Sequence, residues 1–561
     1  MPFTLPRPLP HLLRDVAGNV AIMAAFAVIP LLAMIGGAID ASRTYMAATR
    51  LQQACDAGAL AGRKAMANVT TLTDAEKAKA SEFFRFNFPA GTYSAEKVTA
   101  VFDKGANGVV VGRASLSMPT TLMRMFGFGA IPVSTTCKAE LHIPNTDIMF
   151  VLDVTGSMSA NPAGGAATSQ NPSKMDGLKQ AVKDFYAALG PGPSTGAGRI
   201  RYGFVPYSSN VNVGRVLYAL NPAYIAGGSG DENVNYPSRR GKAVAKTCAD
   251  RSNSNCFDVD WSWANLSVNV RPWVQASGKV ANPAYMQSNP KDPDDYAPSS
   301  FAWDGCIREA STVQNITSTS SLEPPSGAYD LQIDLKPNSA ATRWKPALSQ
   351  LQYQQYPWPN DKLQTIGYSC PKEAGPLRQY TSDYNATSKS SPSLNTYVNA
   401  LQPTGQTYHD IGLIWGARLL APDGIYGATN ADSVAPGGYQ VSRHIVFMTD
   451  GQLDTDAKLA DAWGVNALMD KVQADNAVAP ASAGEDRIYA SHLRRTQIIC
   501  NEMKKRGFII WIVGFGNQGL SQELKECATD PDHWSIATDT AALRQSFAKI
   551  AQTIGGLRLS S

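Results

Sequence analysis

The chain has 561 residues, which exceeds the size of one ordinary hydrophobic core and predicts two or three domains. Its hydrophobic fraction of 44% and charged fraction of 17% are typical of a folded protein. The formal net charge is +4, and the lysines and arginines are scattered rather than gathered in a stripe with aromatic residues. This distribution argues against nucleic acid as a partner.

An apolar run near the N-terminus predicts a membrane-spanning helix. Residues 1–16 include Arg7 and Arg14 and predict a cytoplasmic tail, and residues 17–39 carry no charge. A run of ~20 apolar residues spans a bilayer, and basic residues before it predict a cytoplasmic N-terminus. The rest of the chain is then expected in the periplasm or at the cell exterior, held by a single inner-membrane span. A cleaved signal peptide is the alternative, although its apolar core would be shorter.

The same segment carries a family resemblance. Gly18-Asn19, the apolar run, Asp40 and the sequence LQQACDAGALAG over 51–62 follow one another in this order. The stretch resembles the N-terminal segment of TadE/TadG-like Flp pilus-assembly proteins, which usually have alanine where this chain has Cys55. The resemblance implies a role in assembly of a Flp (Tad) pilus.

Residues 40–142 are predicted to form a long helix followed by a small α+β module. Polar and apolar residues alternate over 108–118 and 131–141, which predicts two strands around a short helical segment at 120–127. We expect this part to serve as a stalk or packing module without chemistry of its own.

A loop rich in oxygen ligands follows the next predicted strand. The apolar strand over 147–153 ends in Asp153, and Thr155 and Ser157 follow at alternate positions. One carboxylate and two hydroxyls on a tight loop are ligands that a hard cation such as Mg²⁺ prefers. The alternative is an ordinary capping loop before the predicted helix at 174–189.

Two later segments repeat this arrangement at a strand end and a helix start. The strand over 443–448 leads into Thr449-Asp450-Gly451, and Thr407 precedes the helical segment 408–421. Open α/β sheets place ligands at such positions.

In this order the three segments resemble the metal-ion-dependent adhesion site of von Willebrand factor A (vWA) domains. The resemblance implies that Thr155 and Ser157 bind the metal directly and that Thr407 binds it directly or through water. It also implies that Asp153 and Asp450 hold coordinated waters. The expected cofactor is a divalent cation, Mg²⁺ first, with Mn²⁺ or Ca²⁺ as alternatives.

The remaining elements predict an α/β fold. A strand at 199–207, a helix at 490–507, a strand at 508–516 and a helix at 542–557 alternate along the chain. Such alternation predicts a doubly wound, mostly parallel sheet. With the resemblance, this is a Rossmann-like vWA domain in two parts, 147–214 and 397–561; TadG-like proteins join such a C-terminal domain to their membrane segment.

The two parts are separated by an insertion over 215–396. It holds six of the ten tryptophans and four of the eight cysteines, which are Cys248, Cys256, Cys306 and Cys370. Three pairings of these cysteines stay open. We expect a loop domain beside the metal loops, with its own small aromatic core and two disulfides, or alternatively a recognition surface. Cys500 and Cys527, on helices flanking one strand, are predicted to form a separate disulfide.

The sequence favours a binding protein over an enzyme. It contains no H-E-x-x-H and no phosphate-binding loop, so neither catalysis nor nucleotide binding is expected. His409 and His444 are predicted to have surface or packing roles. The expected partners are pilus-assembly proteins, a pilin, or an external ligand that presents a carboxylate.

Two other functions stay open from the sequence. The first is a metal-dependent hydrolase or chaperone-type regulator that uses the same site. The second is a metal-independent structural stalk, in which Asp153→Ala would leave function intact.

Overall fold

The chain folds into two compact units, residues 1–142 and 143–560, in the computed structural model. The structure describes residues 16–66, 72–105, 109–139, 145–190, 198–245, 257–283, 299–314, 316–355, 363–365, 368–380, 393–436, 440–455, 460–465, 472 and 481–556. Residues 1–15 of the predicted cytoplasmic tail, together with Cys248 and Cys256, lie outside the described residues.

The first unit joins one long helix to a three-stranded sheet. Its elements are α1 (Val16–Ala65), α2 (Asp74–Asn87), β1 (Glu96–Lys104), β2 (Val110–Pro119) and β3 (Ala130–Ala139). The strands are antiparallel in the order β1-β2-β3. Two strands around a helical turn were predicted and are present, whereas α2 and β1 had not been predicted.

The second half of α1 packs on this sheet through small side chains. Ala47, Ala54 and Ala59 are buried in one core with Phe102 and strand residues. A Cβ atom at Gly58 would lie 2.4 Å from the Phe102 ring, so glycine is required where helix and sheet approach most closely.

A disulfide between α1 and β3 reinforces this packing. It joins Cys55 to Cys137 across 82 residues of sequence. The bond accounts for a cysteine at a position where TadE/TadG-like proteins usually have alanine.

The first half of α1 has a different surface. Large apolar side chains there are exposed, among them Phe26, Leu32 and Ile35. The stretch Met23–Ala65 of this helix is long and apolar enough to cross a membrane, although a signal sequence can also be this apolar.

The second unit contains the remaining strands and helices. The strands are β4 (Asn145–Asp153), β5 (Ile200–Tyr207), β6 (Asn233–Ala245), β7 (Phe257–Asn269), β8 (Val280–Ala281), β9 (Ser300–Phe301), β10 (Ile307–Arg308), β11 (Lys345–Pro346), β12 (Tyr353–Gln355), β13 (Leu363–Thr365), β14 (Gly375–Arg378), β15 (Val441–Thr449), β16 (Ala460–Asp461), β17 (Gly464–Val465), β18 (Ile509–Phe515) and β19 (Trp534–Ala537). The helices are α3 (Lys174–Leu189), α4 (Gly214–Leu220), α5 (Arg271–Gln275), α6 (Leu394–Asn399), α7 (His409–Leu420), α8 (Gly427–Asn430), α9 (Ala481–Lys505), α10 (Gln522–Cys527) and α11 (Thr540–Gly556).

Six of these strands form one mixed sheet in the order β14-β5-β4-β15-β18-β19. All neighbours are parallel except β14, which pairs antiparallel with β5 at the edge. This arrangement confirms the predicted α/β class.

Helices cover both faces of the sheet. On β4, Ile148 and Phe150 face a core shared with α3 and α11, whereas Met149 and Val151 face a second core shared with α7 and α9. A strand covered on both faces requires apolar residues at successive positions, which is why β4 has an uninterrupted apolar run.

The insertion has no core separate from the sheet among the residues that the structure describes. Trp273, Trp303 and Trp344 belong to the same buried cluster as Met149 and Val151 of β4. The expectation of a small aromatic core of its own is therefore wrong, because these indoles find their apolar partners on the sheet side.

Among the described residues of this unit, two disulfides link distant segments. One joins Cys306 to Cys370 within the insertion. The other joins Cys500 to Cys527, as predicted from the sequence.

Candidate metal site

The first loop of the candidate site holds Asp153 through its own backbone. Asp153 ends β4 and is fully buried. The backbone N–H and the hydroxyl of Thr155 both donate to Asp153 Oδ1, at 2.9 and 2.6 Å. The loop therefore fixes the carboxylate and one hydroxyl as a unit.

The second loop meets the first through Ser157. Strands β4 and β15 are parallel neighbours, with Leu152 opposite Met448, so their carboxyl ends lie side by side. Asp450 directly follows β15, and Ser157 Oγ donates to Asp450 Oδ1 at 2.8 Å. Two carboxylates that are distant in sequence are thus joined through two hydroxyls.

The two hydroxyl oxygens are themselves close together. Thr155 Oγ1 and Ser157 Oγ lie 2.9 Å apart. When each hydroxyl donates its hydrogen to a carboxylate, both oxygens keep lone pairs that point away from those bonds. The pair can then accept a shared electrophile.

The third loop joins the site through its main chain. Gly405 O accepts from the N–H of Gly156 at 2.9 Å, and Thr404 N–H donates to Val154 O at 2.6 Å. Gly405 has a φ of +76°, and a Cβ there would lie 2.7 Å from the side chain of Ser369. The loop therefore needs glycine to approach this closely.

Thr407 lies two residues before α7 and is buried. Its carbonyl oxygen accepts from Asp454 N–H at 3.0 Å. Of the five predicted residues, four are joined side chain to side chain, whereas the loop that carries Thr407 is joined to theirs through main-chain hydrogen bonds.

Lysine at the start of α3 adds a positive charge that the sequence had not predicted. Lys174 Nζ lies 2.8 Å from Asp450 Oδ2, and both side chains are buried. The loop from Ser157 to α3 returns to this point because Lys174 N–H donates to Ala160 O at 2.8 Å. The site thus contains two carboxylates and one ammonium group.

The second oxygen of Asp153 has two further partners. Thr449 Oγ1 donates to Asp153 Oδ2 at 2.8 Å, and the Tyr207 hydroxyl lies 3.4 Å from the same atom. Burial, with the nearby Asp450 carboxylate, raises the pKa of Asp153 to about 7.

His409 and His444 are both buried in packing positions. Burial lowers the pKa of His409 to about 3, and its Nε2 lies 3.2 Å from Thr449 Oγ1. His444, at the opposite end of β15, accepts from Trp511 Nε1 at 3.2 Å through Nδ1.

Comparison with protein families identifies the N-terminal segment. Residues 18–69 match the TadE/G-like Flp pilus-assembly family (Tad). This match covers the larger part of α1 and a small fraction of the chain. Comparison with curated protein sequences gives no match.

Solved structures give distant likenesses. The pilus adhesin SpaC from Lactobacillus rhamnosus GG is 11% identical with a TM-score of 0.29, over 82% of this chain and 34% of that protein. This chain thus spans about a third of the length of SpaC. The PilB minor pilin from Streptococcus sanguinis has the same identity and TM-score, over 82% of this chain and 79% of its own.

A third likeness is to proximal thread matrix protein 1 from the mussel byssus, in a structure described as having a zinc-occupied MIDAS motif. It is 11% identical with a TM-score of 0.17, over 74% of this chain and 98% of that protein. TM-scores this low do not establish a shared fold.

Proposed function

We propose that this protein is a membrane-anchored vWA-type binding protein that takes part in Flp pilus assembly and grips its partner through a divalent cation. Thr155 and Ser157 would bind the ion directly, Thr407 directly or through water, and Asp153 and Asp450 through coordinated waters. Mg²⁺ is the favoured ion. The bound ion would supply an open coordination position for a carboxylate of the partner.

The spacing of two hydroxyl oxygens carries the metal part of this proposal. Adjacent ligands of an octahedral Mg²⁺ with bonds of 2.0–2.1 Å lie about 2.9 Å apart. Thr155 Oγ1 and Ser157 Oγ have this separation. The pair is therefore preorganised as one edge of an octahedron.

The charge of the site supports an acidic partner. With Lys174 paired to Asp450, the two carboxylates and the ammonium group sum to one negative charge. A divalent cation would turn this into one positive charge, which attracts a carboxylate. The same balance disfavours a neutral partner group.

The state of His409 supports binding over hydrolysis. A general base for hydrolysis needs a pKa near neutrality and access to a water molecule. His409 is 1% exposed and its pKa is lowered to about 3. The histidine next to the site therefore lacks both properties.

The pilus and membrane parts of the proposal rest on α1. Residues 18–69 match the TadE/G-like Flp pilus-assembly family, which supports a role in pilus assembly. Asp40, at the end of the apolar run, accepts hydrogen bonds from the backbone N–H groups of Thr121, Leu122 and Met123. A helix whose apolar end is bound into the folded unit favours a retained inner-membrane anchor over a cleaved signal peptide.

A matched pair of serine variants tests the metal site. The full chain, stripped with chelator in detergent, is titrated with MgCl₂, MnCl₂ or CaCl₂ by calorimetry. Ser157→Ala removes one ligand oxygen and keeps every charge, so we expect Mg²⁺ affinity to fall about tenfold or more, ~1.4 kcal/mol. Ser159→Ala, in the same turn with its hydroxyl bonded to Gly156 O, should bind as the wild type does.

Absence of binding by the wild type, or equal affinity in the two variants, would contradict the proposed metal site. In cells, the same pair separates the pilus role. Ser157→Ala should lose surface pili while Ser159→Ala keeps them, and pili in both would favour the metal-independent stalk.

A further inference from the structure

An apolar tip projects from the first unit beside the proposed membrane helix. The β2–β3 hairpin turns through residues 120–129, and Met125 and Phe128 there are 83% and 60% exposed. Phe126 and Arg124 in the same turn are also exposed. Exposure of three large apolar side chains on so short a turn is costly in water, which indicates a partner surface.

The tip is held rigidly in this exposed state. Thr120 N–H donates to Gly129 O, and Phe128 N–H donates to Met123 O, so the turn is closed at its base and across its middle. Met125 N–H donates to Leu122 O within the turn. Because these bonds fix the backbone, the side chains of Met125 and Phe128 have little freedom to fold back onto the unit.

The base of the tip lies at one end of the apolar run of α1. A Cβ atom at Gly36 would lie 2.7 Å from Leu122 Cβ, and one at Gly37 would lie 3.7 Å from Met123 Sδ. Asp40, about one helical turn further on, accepts from the three backbone N–H groups at the start of the turn. The tip is therefore fixed at the level where α1 changes from apolar to polar.

This level is that of the lipid headgroups if α1 spans the bilayer as proposed, because a ~20-residue apolar run fills the hydrocarbon core up to Ile39. Phenylalanine and methionine side chains are suited to the boundary between headgroups and acyl chains. The exposed Arg124 can direct its guanidinium to lipid phosphate while its stem stays with the apolar side chains.

We propose that the hairpin tip over residues 120–129 inserts its apolar side chains into the outer face of the bilayer next to α1. The occupant is the lipid bilayer itself. This inference rests on the proposed membrane span. Its consequence is a second membrane contact that prevents the first unit from tilting or rotating freely about its anchor.

Photocrosslinking of the full chain in vesicles of phosphatidylethanolamine and phosphatidylglycerol tests this proposal. Benzoylphenylalanine replaces Met125, Leu32 or Val101 in separate samples, and mass spectrometry identifies the adducts. Leu32 reports the spanning helix, and Val101 is the matched control because it is apolar and 56% exposed on β1 of the same unit. We expect lipid adducts at positions 125 and 32, about tenfold above position 101.

The outcomes separate this inference from the proposed anchor. Lipid adducts at position 32 without adducts at 125 would overturn membrane insertion of the tip and leave the anchor intact. Adducts at 125 to a second protein chain would also overturn it, in favour of a protein interface. Absence of lipid adducts at position 32 would contradict the proposed membrane span, and the insertion of the tip that rests on it. Correct folding of each sample is checked by the Cys55–Cys137 disulfide.

Discussion

Lys174 places a fixed cation beside one of the two carboxylates of the candidate metal site. Its ammonium group lies 2.8 Å from Asp450 Oδ2, in a region from which water is largely excluded. The group stabilises Asp450 when no ion is bound, because an unpaired buried carboxylate is costly. The same positive charge repels an incoming divalent cation. Lys174 therefore sets the balance between stability without metal and affinity for metal.

Lys174→Met should raise the affinity for a divalent cation and lower the stability of the metal-free protein. We expect divalent-ion affinity to rise about tenfold through loss of repulsion and stability without metal to fall by about 3 kcal/mol. Calorimetric titration and thermal unfolding with chelator measure the two effects. Lys179→Met is the control, since Lys179 lies on α3 but outside the site. Unchanged affinity in Lys174→Met would show that Lys174 has only a structural role.

Part of the candidate site could be predicted from the sequence. Asp153, Thr155, Ser157 and Asp450 follow strand ends, and strand order alone brings parallel strand ends together. Lys174 and Tyr207 were not identified, because a lysine at a helix start and a tyrosine at a strand end are ordinary surface or core residues. Their roles follow from long-range packing, which local patterns do not encode.

One disulfide reinforces the packing of helix α1 on the sheet of the first unit. The packing side chains of the helix are mostly alanine, which bury little apolar area each. The Cys55–Cys137 disulfide compensates by closing a loop across 82 residues of sequence. In a chain-entropy view, long closed loops gain the most stability.

Replacing both Cys55 and Cys137 by alanine should lower the free energy of unfolding of the first unit by about 4 kcal/mol. All ten tryptophans lie outside residues 1–142, so tryptophan fluorescence in urea reports the second unit. We expect circular dichroism to show the first unit unfolding at a lower urea concentration. The fluorescence transition of the second unit should stay unchanged. The double alanine variant of Cys500 and Cys527 should instead shift the fluorescence transition and leave the unfolding of the first unit unchanged. A shift of the fluorescence transition in the Cys55 and Cys137 variant would contradict the prediction.

Elements with strong periodicity were the predictable ones. Strands β4 and β15 carry long apolar runs, and α3 has a clear amphipathic pattern after its Ser173 cap. Strand β14, only four residues of Gly-Pro-Leu-Arg, was missed inside the insertion. It is a strand because β5 offers a free edge, and such pairing is a property of the assembled sheet.

In the second unit, a buried ion pair links the insertion to the sheet domain. Glu309 of the insertion lies 3.0 Å from Arg418 Nη1 of α7, and both side chains are buried. The indole N–H groups of Trp344 and Trp415 also donate to Glu309. Insertion and sheet should therefore unfold as one cooperative unit.

Glu309→Gln should destabilise this unit by about 3–5 kcal/mol, because Arg418 would keep its charge in a buried place without a counter-ion. Adding Arg418→Met should restore part of the loss. Glu323→Gln breaks an exposed pair with Lys505 and should cost less than ~1 kcal/mol. Urea unfolding followed by tryptophan fluorescence measures all of these. Two separate transitions in the wild type would show that the insertion is an independent domain.

The position of Cys137 also determines how tension passes through the molecule. Strand β3 is the last described element before the second unit, so a pull on the second unit would enter the first unit near Ala139. Two residues nearer the N-terminus, the disulfide at Cys137 passes the load directly to Cys55 on α1. Strands β1 and β2 and helix α2 lie within the closed loop and are spared the load. Under traction, covalent bonds would transmit the force to α1 before the first unit begins to unravel.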